Sequence, residues 1–209
     1  MRVEVRSERP MGEKVKAWLV EQGEEIVTES PDIMVVAYYP HILKREEFDN
    51  IPLGAINFHP GLLPYNRGMY PHIWPIFDGT PCGVTIHYID EGIDTGDIIG
   101  QREIEVLPTD IASDVEENTQ RAIFELFCEL WPSIRSGTAS CTPQGDYGTH
   151  HYAREISSMQ EFDFDTIARL RACTFKDRSY GYFMYNGKKV HVGVRFFSED
   201  DIKRFNEDR

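Results

Sequence analysis

The chain has 209 residues, 41% of them apolar, and a formal charge of −13. That length fits one domain with a small appendage, and no apolar run approaches the roughly 18 residues of a membrane-spanning helix. Residues 1–137 hold 11 basic against 24 acidic side chains and residues 138–209 hold 11 against 11. The excess charge is therefore all in the first part, and the basic surface that nucleic-acid binding requires is excluded.

The opening "MRVEVRS" alternates as a strand, with Val3 and Val5 on one face. "MGEKVKAWLVEQGEEIV" predicts a short amphipathic helix with Val15, Trp18 and Leu19 inward, ending near Gly23 before a brief strand at Ile26 and Val27. "DIMVVAYY", bounded by Pro31 and Pro40, is a continuous apolar run of the kind found in parallel strands buried on both faces, and "LGAINFH" is the next. Strands alternating with helical patterns argue for an α/β sheet, with ligands bound beyond the carboxyl ends of its strands. Residues 40–43 and 57–68 fall at such ends.

"MYPHIWPIFDG" predicts a short helix broken by proline. "GVTIHYIDEGIDTGDIIGQREIEV" reads as strand, loop, strand, with Val84, Ile86 and Tyr88 alternating against Thr85 and His87. In "PTDIASDVEENTQRAIFELFCELWPSIRSG", Thr109 is placed to cap a long helix. Its inward stripe is Ile111, Val115, Ala122, Ile123, Leu126, Phe127, Leu130 and Trp131, and Gly137 ends it. Beyond residue 138 comes a turn-rich connection, with His150 and His151 expected in a solvated loop. A short helix follows at "FDTIARLRACTF", and then two alternating strands around Asn186–Gly187, a hairpin signal. Residues 1–137 are expected to form the catalytic domain and 138–209 a C-terminal extension.

Candidate chemistry centres on "INFHPGLLPYNRG". Asn57 and His59, two apart at the end of a strand, point to the same side. An amide and an imidazole converging on one point suit an oxygen that gains charge during acyl transfer. The imidazole needs a carboxylate to hold its tautomer, and Asp90, Asp94 and Asp97 occupy the neighbouring loop. With no GxSxG turn and no cysteine near the pair except Cys82, on an expected buried strand, direct attack by the substrate is the remaining route. His59, His72 and His87 are too widely spread for a metal framework, so no metal is expected. The four cysteines are far apart, have no CxxC spacing and read as reduced structural thiols. The charged start has no signal-peptide core, and a cytoplasmic location is expected.

The stretch "INFHPGLLPYNRG…GVTIHYIDEGIDTGDIIGQ" closely resembles the formyltransferases that use 10-formyltetrahydrofolate, over roughly residues 31–131. The resemblance implies a Rossmann-like, mostly parallel sheet flanked by helices, with the C-terminal hairpin as an appendage. It implies Asn57 as the amide that stabilises the oxyanion and His59 as the second donor and proton shuttle. It implies Asp94, of "DTGD", as the carboxylate that orients His59 and raises its pKa. It further implies pterin contacts from His41, Ile42 and Leu43 on one side and from Asp90, Glu91, Gly92 and Ile93 on the other. The opening is shorter than is usual in that family, so one strand–helix unit is expected to be missing. The early glycine-rich phosphate site of the glycinamide ribonucleotide enzyme is absent, and the tail lacks the larger basic domain of the methionyl-tRNA enzyme. "LPYNRGMYPHIWPI" with a hairpin tail looks most like the small sugar N-formyltransferases. The expected acceptor is a nucleotide-linked amino sugar and the expected assembly a homodimer. A formyltetrahydrofolate hydrolase, a formyltransferase for another amine and a non-catalytic folate-binding protein are the alternatives.

Overall fold

The computed structural model describes residues 1–159, 163–175, 178–179, 181–195, 197 and 202. These divide into two compact units, residues 1–153 and 154–209. In the first unit β1 (Arg2–Arg6) leads through α1 (Pro10–Glu21) to β2 (Glu25–Ile26) and β3 (Ile33–Ala37). Next come β4 (Ala55–His59), β5 (Arg67–Gly68), α2 (Trp74–Phe77), β6 (Gly83–Tyr88), β7 (Ile98–Glu103), α3 (Ala112–Arg135) and β8 (His150–His151). The main sheet runs β2-β1-β3-β4-β6-β7. Pairing is parallel from β2 to β4, then antiparallel from β4 to β6 and from β6 to β7. The expected mostly parallel α/β sheet is present. Between β2 and β3, residues 27–32 form no helix.

The side-chain alternation of β4 explains where the site lies. Ile56 and Phe58 point into the main core, with Val3, Val35, Val84 and Ile86 from neighbouring strands, Val15 and Leu19 from α1, and Ile123, Phe127 and Trp131 from α3. The other face carries Ala55, Asn57 and His59. Near Ala55 it is apolar, packed with Met34, Val36 and Phe48. Towards the carboxyl end of β4 it becomes polar. There β6 contributes Thr85 opposite His59 and His87 opposite Asn57. Thr85 and His87 alternate against the core-facing residues of β6 yet are 0% and 2% exposed. The turn after β4 covers them: Thr85 Oγ1 donates to Gly61 O and accepts from Leu63 N.

Three local expectations change. The long helix begins at Ala112, so Thr109 is not its cap; Asp114 accepts from Ile111 N at 2.9 Å, and Ile111 itself is 64% exposed. Pro75 opens α2 instead of breaking it, since a proline in the first helical turn sacrifices no hydrogen bond. The connection after Gly137 is ordered against the first unit. Thr142 exchanges two backbone hydrogen bonds with Ile98, and β8 pairs in parallel with β5. His151 stacks on Trp74 with ring centroids 3.8 Å apart, so it is no solvated loop residue.

From Ala153 the chain continues as α4 (Ala153–Met159), α5 (Phe164–Cys173), β9 (Thr174–Phe175), β10 (Arg178–Ser179), β11 (Gly181–Tyr185) and β12 (Lys188–Val192). Strands β11 and β12 are the hairpin expected around Asn186–Gly187, both of which have positive φ as a tight two-residue turn requires. Residues 180 and 196 of the expected hairpin lie outside the described residues. No helix among the described residues is long and apolar enough to cross a membrane.

Candidate active site

Asn57, His59 and Asp94 meet at the carboxyl end of β4. His59 Nδ1 lies 3.4 Å from Asp94 Oδ2, and Asn57 Nδ2 donates to Asp94 Oδ1 at 3.3 Å. Each partner arrives by a separate local device. The strand alternation places Asn57 and His59, as above. Asp94 adopts the left-handed region, with φ of 55°, inside the loop between β6 and β7. That loop folds on itself: Asp90 Oδ1 accepts from Gly92 N and Thr95 Oγ1. At Gly96 a Cβ would sit 1.9 Å from Tyr88 O, so only glycine lets the loop return against its own strand. Gly61 serves the histidine in the same way, because a Cβ there would lie 2.6 Å from His59 Nε2.

The side chain of His87 joins this group. Its Nδ1 donates to Tyr88 O at 2.7 Å, and its Nε2 lies 3.2 Å from Asn57 Nδ2. His87 Nε2 and Asp94 Oδ1 are 3.6 Å apart. Asn57 Nδ2 is thus within hydrogen-bond reach of both His87 Nε2 and Asp94 Oδ1.

His59 is held at both ring nitrogens. Nε2 lies 2.9 Å from Asn66 O, a carbonyl that can only accept, so the neutral ring carries its proton there. Its Nδ1 lone pair then faces Asp94, poised to take up a proton. Burial pushes the imidazole below its ordinary 6.5, and the nearby Asp94 only partly opposes this. The expected upward pull of the carboxylate is present but is not the net result. For Asp94, burial alone would raise the pKa. His59, His87 and the Gly68 N–H at 2.9 Å outweigh it and hold the carboxyl well below the usual carboxylate range. At neutral pH the site is an ionised Asp94 beside a neutral His59.

Asn66 is fully buried and has a φ of 59°. Its amide donates to Thr80 Oγ1 and Pro81 O, and its Oδ1 accepts from Thr149 Oγ1. Sequence reasoning missed His87 in this role, together with Asn66, Thr149 and Gln144. His87 could have been found from register, since a two-residue step from Thr85 places it on the Asn57 face. Asn66 meets His59 across the turn after β4, while Thr149 and Gln144 depend on a distant segment docking here, for which the sequence offers no local signal.

The residues expected around a pterin lie on the segments that follow β3 and β6. His41 is exposed with Nε2 3.2 Å from Glu8, Ile42 is 79% exposed, and Leu43 packs against the Met34 cluster. Ile93 is exposed at the tip of the opposite loop, where Asp90, Glu91 and Gly92 also sit. Glu91 pairs with Arg45, just past Leu43, so an ion pair links the two segments. Among the described residues no group of histidine, cysteine and acidic side chains could hold a metal ion, and all four cysteines are free.

An amide, an imidazole and a carboxylate thus converge at the carboxyl end of β4 in a Rossmann-like sheet, an arrangement that suits acyl transfer. Residues 6–129 match the family described as formyl transferase, and the chain belongs to that family. The dTDP-4-amino-4,6-dideoxyglucose formyltransferase of Mycobacterium tuberculosis is 33% identical over 148 residues, covering 67% of this chain and 63% of that protein. This chain thus spans somewhat under two thirds of that relative's length. A methionyl-tRNA formyltransferase from Syntrophus aciditrophicus is 46% identical over 118 residues, covering 56% of this chain but only 38% of that enzyme. Among solved structures, the formyltransferase PseJ from Anoxybacillus kamchatkensis, in complex with UDP-4,6-dideoxy-4-formamido-L-AltNAc and tetrahydrofolate, superposes with a TM-score of 0.69 at 30% identity. That match covers 75% of this chain and 88% of that one.

Proposed function

We propose that this chain transfers the formyl group of 10-formyltetrahydrofolate to the amino group of a nucleotide-linked amino sugar. The convergence of Asn57 and His59 on ionised Asp94 carries the reading. The sugar and folate named for the Anoxybacillus structure and the sugar named for the mycobacterial relative support this choice of substrates. The strong negative charge disfavours tRNA as the acceptor.

In this reaction the neutral amine attacks the formyl carbon, and the carbonyl oxygen becomes an oxyanion. The Asn57 amide donates to that oxygen. His59 accepts the proton that the attacking nitrogen sheds, and Asp94 stabilises the resulting imidazolium. The proton then passes to N10 of the folate as the C–N10 bond breaks, giving a formamide and tetrahydrofolate. His41, Ile42 and Leu43 are assigned to one side of the pterin, and Asp90, Glu91, Gly92 and Ile93 to the other. Catalysis is assigned to the first unit, with residues 138–153 added to the expected 1–137. The protein is assigned to the cytoplasm, and a homodimer is the proposed assembly, on the strength of the exposed aromatic strand β11.

Incubating the protein with 10-formyltetrahydrofolate and a panel of nucleotide-linked amino sugars tests the reaction by mass spectrometry. The expected result is a sugar heavier by one formyl group, with tetrahydrofolate released in equal amount. Steady formate release without any acceptor would make the protein a hydrolase instead. Transfer only to glycinamide ribonucleotide or methionyl-tRNA would overturn the sugar assignment.

A further inference from the structure

Resting on that reading of the site, we infer that Gln144 is a positioning residue for Asp94, and through it for the protonation of His59. Gln144 lies in the connection after α3, outside the Asn-x-His and Asp-Thr-Gly-Asp segments. Its amide nitrogen donates to Asp94 O at 2.9 Å and to Gly96 O at 2.7 Å, using both N–H groups on the loop that carries the carboxylate. Its Oε1 accepts from Arg67 Nε at 3.2 Å and Nη2 at 2.7 Å. Arg67 precedes Gly68, whose N–H donates to Asp94 Oδ2. One half-buried amide thus ties together the two backbone segments that flank Asp94.

The anchors around Gln144 fix its place. Thr142, two residues before it, is bridged to Ile98, just beyond the loop. Thr149, five residues after it, donates to Asn66 Oδ1 and accepts from Asn66 N, while Asn66 O faces His59 Nε2. The same connection therefore supports the carboxylate and the carbonyl that hold the two nitrogens of His59. Asp94 needs this support because it is held in the left-handed region, and the intraloop bonds that Asp90 accepts come from Gly92 and Thr95 and not from Asp94 itself. Glutamine suits the position because it has a two-hydrogen donor and an acceptor at one end.

Two variants separate this role from simple packing. Gln144→Glu keeps, and by charge strengthens, the contact with Arg67, but turns a carboxylate oxygen onto two carbonyls. Gln144→Ala removes both halves. The first readout is an NMR titration of the His59 ring in the free protein, which does not depend on any acceptor. The second is kcat, KM and the pH profile with the formyl donor and an accepted sugar. In Gln144→Ala the His59 titration is expected to move down, since a displaced Asp94 raises it less; Gln144→Glu, whose added charge acts on His59 directly, is read by kcat. The expected kcat falls by up to about 10²-fold, as a 1 Å displacement of catalytic groups can cost, with KM for folate little changed. Gln144→Glu should lose as much as Gln144→Ala or more. If only Gln144→Ala is impaired, the residue acts through Arg67 and the inference is overturned. It is equally overturned if folded variants titrate and turn over like wild type. Should Gln144→Glu not fold, Gln144→Ala alone decides by the same titration. A wild-type protein inactive on every acceptor would defeat the formyl-transfer reading while leaving the titration to judge Gln144.

Discussion

The chemistry at His59 turns on which groups its two ring nitrogens meet. A carbonyl at Nε2 and a carboxylate at Nδ1 would welcome an imidazolium, but at 3% exposure burial keeps the ring neutral at rest. A proton arriving from the attacking amine therefore finds an empty site with its counter-charge already in place. Both depressed pKa values also carry a stability signature. Native Asp94 binds its proton less readily than an unfolded aspartate, so its stabilisation is present above about 3.8 and is lost as pH falls through its folded value. Native His59 likewise resists protonation, so stability also declines as pH drops below 6.5. Asp94→Asn should remain folded at neutral pH, flatten the acid limb of denaturant-derived stability below pH 4 and lower the His59 titration. An unchanged acid limb would show that Asp94 is not the strained titrating group. At this scale Asn57 and His59 were legible because a two-residue step is a local pattern, whereas Asp94 was separated from Asp90 and Asp97 only by the resemblance to the formyltransferases. Gln144 and Thr149 were not legible, because their meaning comes from pairings that join residues 50 and 83 positions apart.

The elements that position these side chains differ in how plainly the sequence announces them. Strand β3 is buried at every position, and its uninterrupted apolar run says so. Helix α3 is equally plain, its stripe interleaving with Trp18 and Phe58 around Phe127. Alternation in β6 misleads, because a polar face in a sheet normally means solvent, whereas here it is the floor of the site, roofed by the turn after β4. The antiparallel pairing of β4, β6 and β7 is hidden too, since alternation is blind to strand direction. The turn itself yields a direct test. Gly61→Ala places a methyl group where the ring of His59 now sits, with the ring nitrogen 2.6 Å away. The expected outcome is a folded protein in which the ring is pushed off its two partners and kcat falls by about 10²-fold. Wild-type turnover in this variant, checked by steady-state kinetics, would mean that the orientation of His59 is not critical.

For the molecule as a whole, the asymmetry between the two units is informative. The first buries a continuous core between its sheet and two helices and carries all the excess negative charge but for the balanced residues after 137. The second shows little burial among its described residues. On β11, Tyr182, Phe183, Met184 and Tyr185 are 49%, 43%, 57% and 43% exposed. A two-stranded hairpin is marginal in water without something to pack on, and a second copy of the chain is the proposed cover. Sedimentation of the full chain should give a dimer at micromolar concentration, and Met184→Glu should weaken it. A wild-type monomer throughout that range would refute the dimer.

The claim at the centre of this account is that the cluster at the end of β4 performs formyl transfer. A single-turnover experiment on Asn57→Ala and His59→Ala, with an accepted sugar and with 5-formyltetrahydrofolate binding as the control, addresses it most directly. Loss of one preorganised oxyanion donor typically costs on the order of 10²- to 10³-fold in rate. Each variant should therefore fall at least that far while still binding the folate. Transfer at near wild-type rates in both variants would contradict the account.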